Sequence, residues 1–382
     1  MRILHLTLSA ARGGRRDAIL TLIDHLRPLG AECGLVALRN LRSEVADIEN
    51  HVDYYDGMEI VGRPRLPELV DVRRLCQERE VDVLHAHDAG SQFVASALRL
   101  TSPTLRVVMT FHRTLGLESE GMRNHLRNAV SLPMVQRVVT ASRERRDYFL
   151  KHTMVPSARM RVIPFGIDLN VFHPDPASRA MVRRELGLPA DALLIMTIGH
   201  FGREKGVDQA IEAVAQAAPQ LGNRPWHLAV LGGGPPDQVA AMRAIAARLP
   251  AGRVTFLGFR PDVAHLLQGA DVLLHAPRAE AFGLAVIQAM ASALPIVGTS
   301  VGGLPEIVVD GQTGHLVRAG DIGGLGAAIV QLVETPGTRI RMADAALRRA
   351  RAMYGAALTA ERHLALYEDV MQSRSHGMRK AS

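Results

Sequence analysis

The chain has 382 residues, 47% hydrophobic and 22% charged, a usual balance for a globular protein and enough chain for two domains with a core each. No apolar run approaches the roughly 20 residues that a membrane span needs, so no transmembrane helix is expected. The net charge of +7 favours acidic partners such as phosphates or an anionic membrane face, while aromatic residues, at 4%, are too few to stack single-stranded nucleic acid, which is not expected as a partner.

In chain order, MRILHLTLSAARGG carries a short apolar stretch interrupted by His5. It is expected to be a buried first strand entering a glycine turn, not a signal peptide, which points to a cytoplasmic chain. Further β-rich runs begin at Cys33 (CGLVAL), Val81 (VDVLHAH), Arg106 (RVVMTFH), Arg137 (RVVTAS) and Met160 (MRVIPFG), with helices between them, for example over 17–29 and 91–100. Prolines interrupt the series at Phe172-His173-Pro174-Asp175-Pro176, where a linker is expected. A second series begins at Ala192 (ALLIMTIG), His227 (HLAVLGGG), Val254 (VTFLGF), Asp271 (DVLLHAP), Pro295 (PIVGTS) and Gly314 (GHLV), with helices expected over 207–218, 236–249 and 284–293. The alternation predicts an α/β protein of two doubly wound parallel-sheet domains, 1–172 and 173–355, with ligands outside the carboxyl ends of the strands.

Cys33 and Cys76 suggest no disulfide framework and are expected to be small buried side chains. Between Arg99 and Lys151 basic residues outnumber acidic ones. Either a charged acceptor or an anionic membrane face docks there, or the stretch is a solvated arginine-rich surface.

Candidate chemistry gathers where strands end. Gly13-Gly14 opens a helix whose backbone N–H groups, at Gly14 above all, can approach a phosphate, although a tight turn uses the same pair. For Gly232-Gly233-Gly234-Pro235 the turn is preferred. His200, Arg203 and Lys205 lie together in HFGREKG after a strand. Lys205 is one of only three lysines, and a compact ammonium there can neutralise a departing diphosphate. From Asp271 the chain reads DVLLHAPRAEAFGLAVIQAM. Glu280 offers a carboxylate to a sugar, the Phe282, Gly283 and Leu284 amides open a helix toward phosphate, and Gln288 shares a helix face with Leu284 and can meet a ribose. His85 and His87, with Asp88, alternate along a strand in the manner of metal ligands, but polar strand-end residues are the preferred explanation. No two Asp residues stand two apart, and no metal is expected.

These motifs resemble the family 4 glycosyltransferases over nearly the whole chain: Thr110-Phe111-His112, VIPFGID from Val162, GREKG from Gly202, GGGP from Gly232, EAFGLAVIQAM from Glu280 and GGLPEIV from Gly302. The resemblance implies the GT-B fold, two facing Rossmann-like domains with a cleft between them, and a last helix over 356–372 that returns to the first domain. It implies retaining, metal-independent transfer of a hexose-type sugar from a nucleotide-diphosphate sugar, a co-substrate and not a cofactor, to a glycan, glycolipid or lipopolysaccharide-type acceptor. By the same resemblance His112 lies near the donor sugar, Lys205 pairs with the diphosphate, and Glu280 holds sugar hydroxyls. Three positions depart from the family pattern. Gln288 stands where a second Glu is usual, His200 where an Arg is usual, and Phe165 where an Asn is usual. The first two weaken donor binding, and Arg203 can take the phosphate contact that His200 makes only when protonated. The alternatives are a nucleotide-sugar epimerase or a phosphorylase on the same fold, or a non-catalytic donor-binding scaffold.

Overall fold

The computed structural model describes residues 1–11, 13–39, 48–57, 66–102, 104–112 and 132–372. The chain divides into one unit formed by Met1–Gly166 and Ala356–Ser382 and a second formed by Ile167–Gly355.

The first unit carries a parallel seven-stranded sheet built from β1 (Arg2–Ser9), β2 (Glu32–Arg39), β3 (Tyr54–Gly57), β4 (Val83–Ala86), β5 (Arg106–Phe111), β6 (Arg137–Thr140) and β7 (Met160–Val162), in the order β3-β2-β1-β4-β5-β6-β7. Side chains alternate along each strand. Ile3, Val83 and Val108 therefore pack with helices Gly14–Leu26 and Ala356–Gln372, while Leu4, Leu84 and Val107 pack on the opposite face with helix Ala89–Thr101. Cys33 and Cys76 are buried and free, and burial pushes both thiols up to about 12, the state of an unreactive core side chain.

The second unit carries a parallel six-stranded sheet of β8 (Leu193–Ile198), β9 (Trp226–Leu231), β10 (Val254–Gly258), β11 (Val272–His275), β12 (Ile296–Thr299) and β13 (Gly314–Val317), in the order β10-β9-β8-β11-β12-β13. Helix Val207–Leu221 packs against helix Ile322–Glu334 over it. Trp226, Ile211, Val214 and Leu325 are among the fully or almost fully buried residues of this core.

Three details differ from expectation. β3 was not anticipated, because YYDG is short and half polar. The division falls at Gly166, ahead of residue 172, and the expected linker lies inside the second unit. There the Asp175 amide donates to Gln268 Oε1 (2.9 Å), the Asp175 carboxylate caps helix Pro176–Glu185, and Pro176 occupies that helix's first turn, where a proline is tolerated.

In both sheets the winding direction reverses once, between β1 and β4 and between β8 and β11. At such a switch point the loops leaving the two strands diverge and leave a crevice beyond their carboxyl ends.

Candidate functional site

At the β8/β11 switch point the loop after β8 bends through Gly199 and Phe201, whose ring is buried in the core. A 3₁₀ turn at Arg203–Lys205 follows, and Gly206 adopts φ 61°. A Cβ on Gly206 would run into the Ala276 carbonyl, so only glycine lets the loops after β8 and β11 approach here. The approach is sealed by the Arg278 amide donating to the Glu204 carbonyl (2.8 Å) and by the Arg278 guanidinium paired with Asp208 (2.6 Å).

This packing brings Lys205 Nζ to 2.9 Å from Glu280 Oε2, and His275 Nε2 to 3.2 Å from the same oxygen. Burial alone would raise the Glu280 carboxyl, but the His275 hydrogen bond and the Lys205 charge outweigh it and hold the group down at about 2. A carboxylate only accepts, so His275 Nε2 carries the proton in that bond. His275 was missed in the sequence, where its signal is a polar residue at the end of the otherwise apolar strand VLLH.

Behind Glu280, Gly302 sits at φ 52° with its Cα against the Glu280 carbonyl, where a Cβ has no room. Gly283, at φ 116°, precedes helix Leu284–Ala291. The Val286 and Ile287 amides both turn back to the Gly283 carbonyl, and Leu284, Ala285 and Gln288 share the partly exposed face. The Gln288 side chain makes no hydrogen bond with the described residues. His200 and Arg203 are exposed, and His200 Nε2 is paired with Glu204 Oε1 at 2.6 Å, a partner that the sequence did not reveal.

Of the sequence candidates, Lys205, Glu280, Phe282, Gly283, Leu284 and Gln288 thus belong to one edge of the second sheet, with His200 and Arg203 on the adjoining turn. Gly14 and His112 belong to the first unit.

In that unit Asp88 ties the end of β1 to the start of helix Ala89–Thr101, accepting from Thr7 Oγ1 (2.9 Å), the Leu8 amide (2.6 Å) and the Ser91 amide (2.9 Å). Gly14 is exposed at the start of its helix, after Gly13 at φ 146°. On the sheet face covered by helix Ala356–Gln372 lies a histidine cluster. His5 Nδ1 is 2.9 Å from His87 Nε2, and His87 Nδ1 is 3.0 Å from His112 Nε2. His85 is bonded on one side to Tyr367 Oη (2.7 Å) and on the other to Thr110 Oγ1 (2.8 Å). The His112 ring stacks on Phe165 at 4.7 Å, and Thr21, His87, Thr110, His112, Thr359 and His363 contribute the polar lining of a small pocket. Burial holds His5 and His112 near 3 and His363 near 4, and lowers His85 and His87 well below the usual range, so all five rings are neutral at pH 7.

His5, His85 and His87 bring ring nitrogens within 4.8 Å of one another. Both nitrogens of His85 and of His87 are already hydrogen-bonded to other side chains, and a metal would have to displace those bonds.

The basic stretch after residue 99 does not form one exposed face among the described residues. Arg106 and Arg145 are buried, and Arg137 is turned onto Asp369 at 2.7 Å. Arg113, Arg123 and Arg127 lie outside the described residues. The expected docking of an anionic membrane loses part of its basis.

Residues 13–171 match the family model described as Glycosyltransferase Family 4, and residues 178–349 match that described as Glycosyl transferases group 1. A D-inositol 3-phosphate glycosyltransferase of Corynebacterium diphtheriae is 30% identical over 310 residues, covering 77% of this chain and 72% of the relative. One from Corynebacterium aurimucosum is 29% identical over 396 residues, covering 95% and 92%. Among solved structures, HepE of Anabaena in complex with UDP and glucose superposes with a TM-score of 0.86 at 22% identity, covering 97% of this chain and all of that one.

Proposed function

Because this chain belongs to the family 4 glycosyltransferases, we propose that it transfers a hexose from a nucleotide-diphosphate sugar to an acceptor hydroxyl, with retention of configuration and without a metal. The observation that carries this reading is the meeting of Lys205 and Glu280 at the switch point of the second sheet, beside the start of helix Leu284–Ala291.

In this mechanism Glu280, held ionised by His275 and Lys205, accepts from hydroxyls of the donor sugar. Lys205 uses one of its three N–H bonds on Glu280 and turns the others to the diphosphate, with the Leu284 amide and the helix N-terminus supplying further positive potential. The bond from the anomeric carbon to the diphosphate breaks while the acceptor oxygen attacks on the same face. The acceptor proton passes to the leaving phosphate oxygen, so no protein nucleophile is needed. Gln288 meets the ribose with one acceptor and one donor. In the first unit His112 donates to a substrate hydroxyl.

For the acceptor, the names of the relatives support a small anionic polyol, which the net charge of +7 suits, beside the glycan or lipid-linked acceptor expected from the resemblance. The direct test is turnover of UDP- and GDP-hexoses with and without inositol phosphates and glycans. Nucleoside diphosphate release that requires an acceptor supports transfer. An epimerised donor formed without acceptor, a requirement for free phosphate, or nucleotide binding without turnover favours the epimerase, the phosphorylase or the scaffold in turn.

A further inference from the structure

Three histidines, one on β1 and one directly after each of β4 and β5, form a line, His5 Nδ1 to His87 Nε2 at 2.9 Å and His87 Nδ1 to His112 Nε2 at 3.0 Å. Burial keeps the rings neutral, so three imidazoles bring three N–H bonds. Each of the two internal contacts needs one donor and one acceptor. The third N–H must therefore stand at one end of the line, with a bare lone pair at the other, and the three tautomers change together or not at all.

The two ends differ. His5 is fully buried, its Nε2 has no partner among the described residues, and it is not among the residues lining the pocket. His112 Nδ1 is likewise buried and without a partner among the described residues, but His112 lines the pocket, where an acceptor bound in the pocket can meet it. A buried N–H without an acceptor is rarer and costlier than a buried acceptor without a donor, so the lone pair belongs on His5 and the N–H on His112.

We propose that His5 and His87 are positioning residues that hold His112 as its Nδ1–H tautomer, so that His112 presents a hydrogen-bond donor, and not a base, to a substrate oxygen. The substrate contact rests on the function proposed above; the polarity of the chain does not. All three rings then carry the proton on Nδ1, the tautomer that free histidine disfavours in water. His85 stands outside this line, satisfied by Tyr367 and Thr110.

The test is an imidazole ¹⁵N spectrum of the full chain labelled on histidine, with His112→Gln identifying the His112 signals. The expected result is a protonated Nδ1 and a bare Nε2 on His112; a protonated Nε2 overturns the polarity. In turnover assays His5→Leu should lower kcat about tenfold with donor KM unchanged, the lower end of what loss of an orienting partner costs. His5→Asn places an amide where Nδ1 was and should restore most of that activity. Equal impairment in both, or in neither, overturns the positioning role. Should His5→Leu fail to fold, the wild-type spectrum decides. Unchanged transfer in His112→Gln removes the substrate contact, whereas an Nε2–H signal with transfer impaired in His112→Gln removes only the chain's polarity, so the two failures are told apart.

Discussion

Lys205 and Glu280 form an ion pair at 2.9 Å across 75 residues of sequence, and the Glu280 side chain is 8% exposed while that of Lys205 is 24% exposed. A pair so placed is both structural and chemical. Lys205→Ala leaves a buried carboxylate with His275 as its remaining partner among those described, and is expected to cost about 1–3 kcal/mol of stability. Loss of its charge at the leaving group should lower transfer by more than about 100-fold. Urea unfolding and turnover of the same variant separate the two effects. Stability unchanged in Lys205→Ala contradicts the pairing.

Gln288→Glu should tighten donor binding about fivefold. A charged hydrogen bond to a ribose hydroxyl contributes about 1 kcal/mol more than a neutral one. Calorimetric titration with the nucleoside diphosphate reads this directly, and an unchanged Kd means that Gln288 does not meet the ribose.

Gly302→Ala introduces a Cβ at φ 52° against the Glu280 carbonyl. The left-handed backbone alone costs about 1 kcal/mol, and displacement of the carbonyl adds to it. Gly311, at φ 73° with open space around it, is the control. Gly311→Ala should show the backbone cost only, whereas Gly302→Ala should in addition lower kcat more than about tenfold because Glu280 moves. Equal activities in the two variants would show that the Glu280 loop tolerates the shift.

The buried histidines predict a steep acid limit. Their folded values lie below the ordinary 6.5, with His5 and His112 near 3 and His363 near 4. Between the folded and unfolded values the unfolded chain binds more protons, so stability is complete above about pH 6.5 and falls as pH drops. Glu280, at about 2 against the ordinary 4.5, adds a loss in the same direction below about pH 4.5. Unfolding free energies from urea titrations between pH 6.5 and 4.5 should fall with a slope above about 1.4 kcal/mol per pH unit, more than one histidine provides. A flat profile across that window would mean that these rings are solvated.

The strand and helix series and the parallel sheets were legible because period-2 and period-3.6 patterns are local, whereas the return of helix Ala356–Gln372 to the first unit was an implication of the family resemblance. Glu280, Lys205 and Gly283 were legible because chemistry-bearing residues stood beside glycines at strand ends. Their partners were not. The contact of His275 with Glu280 depends on the chain doubling back after β11, and that of His200 with Glu204 on one 3₁₀ turn. The HAH spacing put His85 and His87 on one sheet face, but their different partners are set by register. His5 pairs opposite His85 in the ladder while its ring nitrogen reaches His87. The division at Gly166 was not legible because Pro174 and Pro176 look like a break, whereas Pro176 lies in the first turn of helix Pro176–Glu185.

The measurement that bears most directly on the central claim is the anomeric configuration of the product, followed by NMR during turnover of a nucleotide-diphosphate hexose by the wild-type chain and by Lys205→Ala and Glu280→Gln. The expected result is an acceptor-dependent glycoside with the configuration of the donor, lost in both variants while each retains its folded spectrum. An inverted product, or wild-type turnover in both folded variants, would contradict the assignment of retaining transfer to the Lys205–Glu280 site.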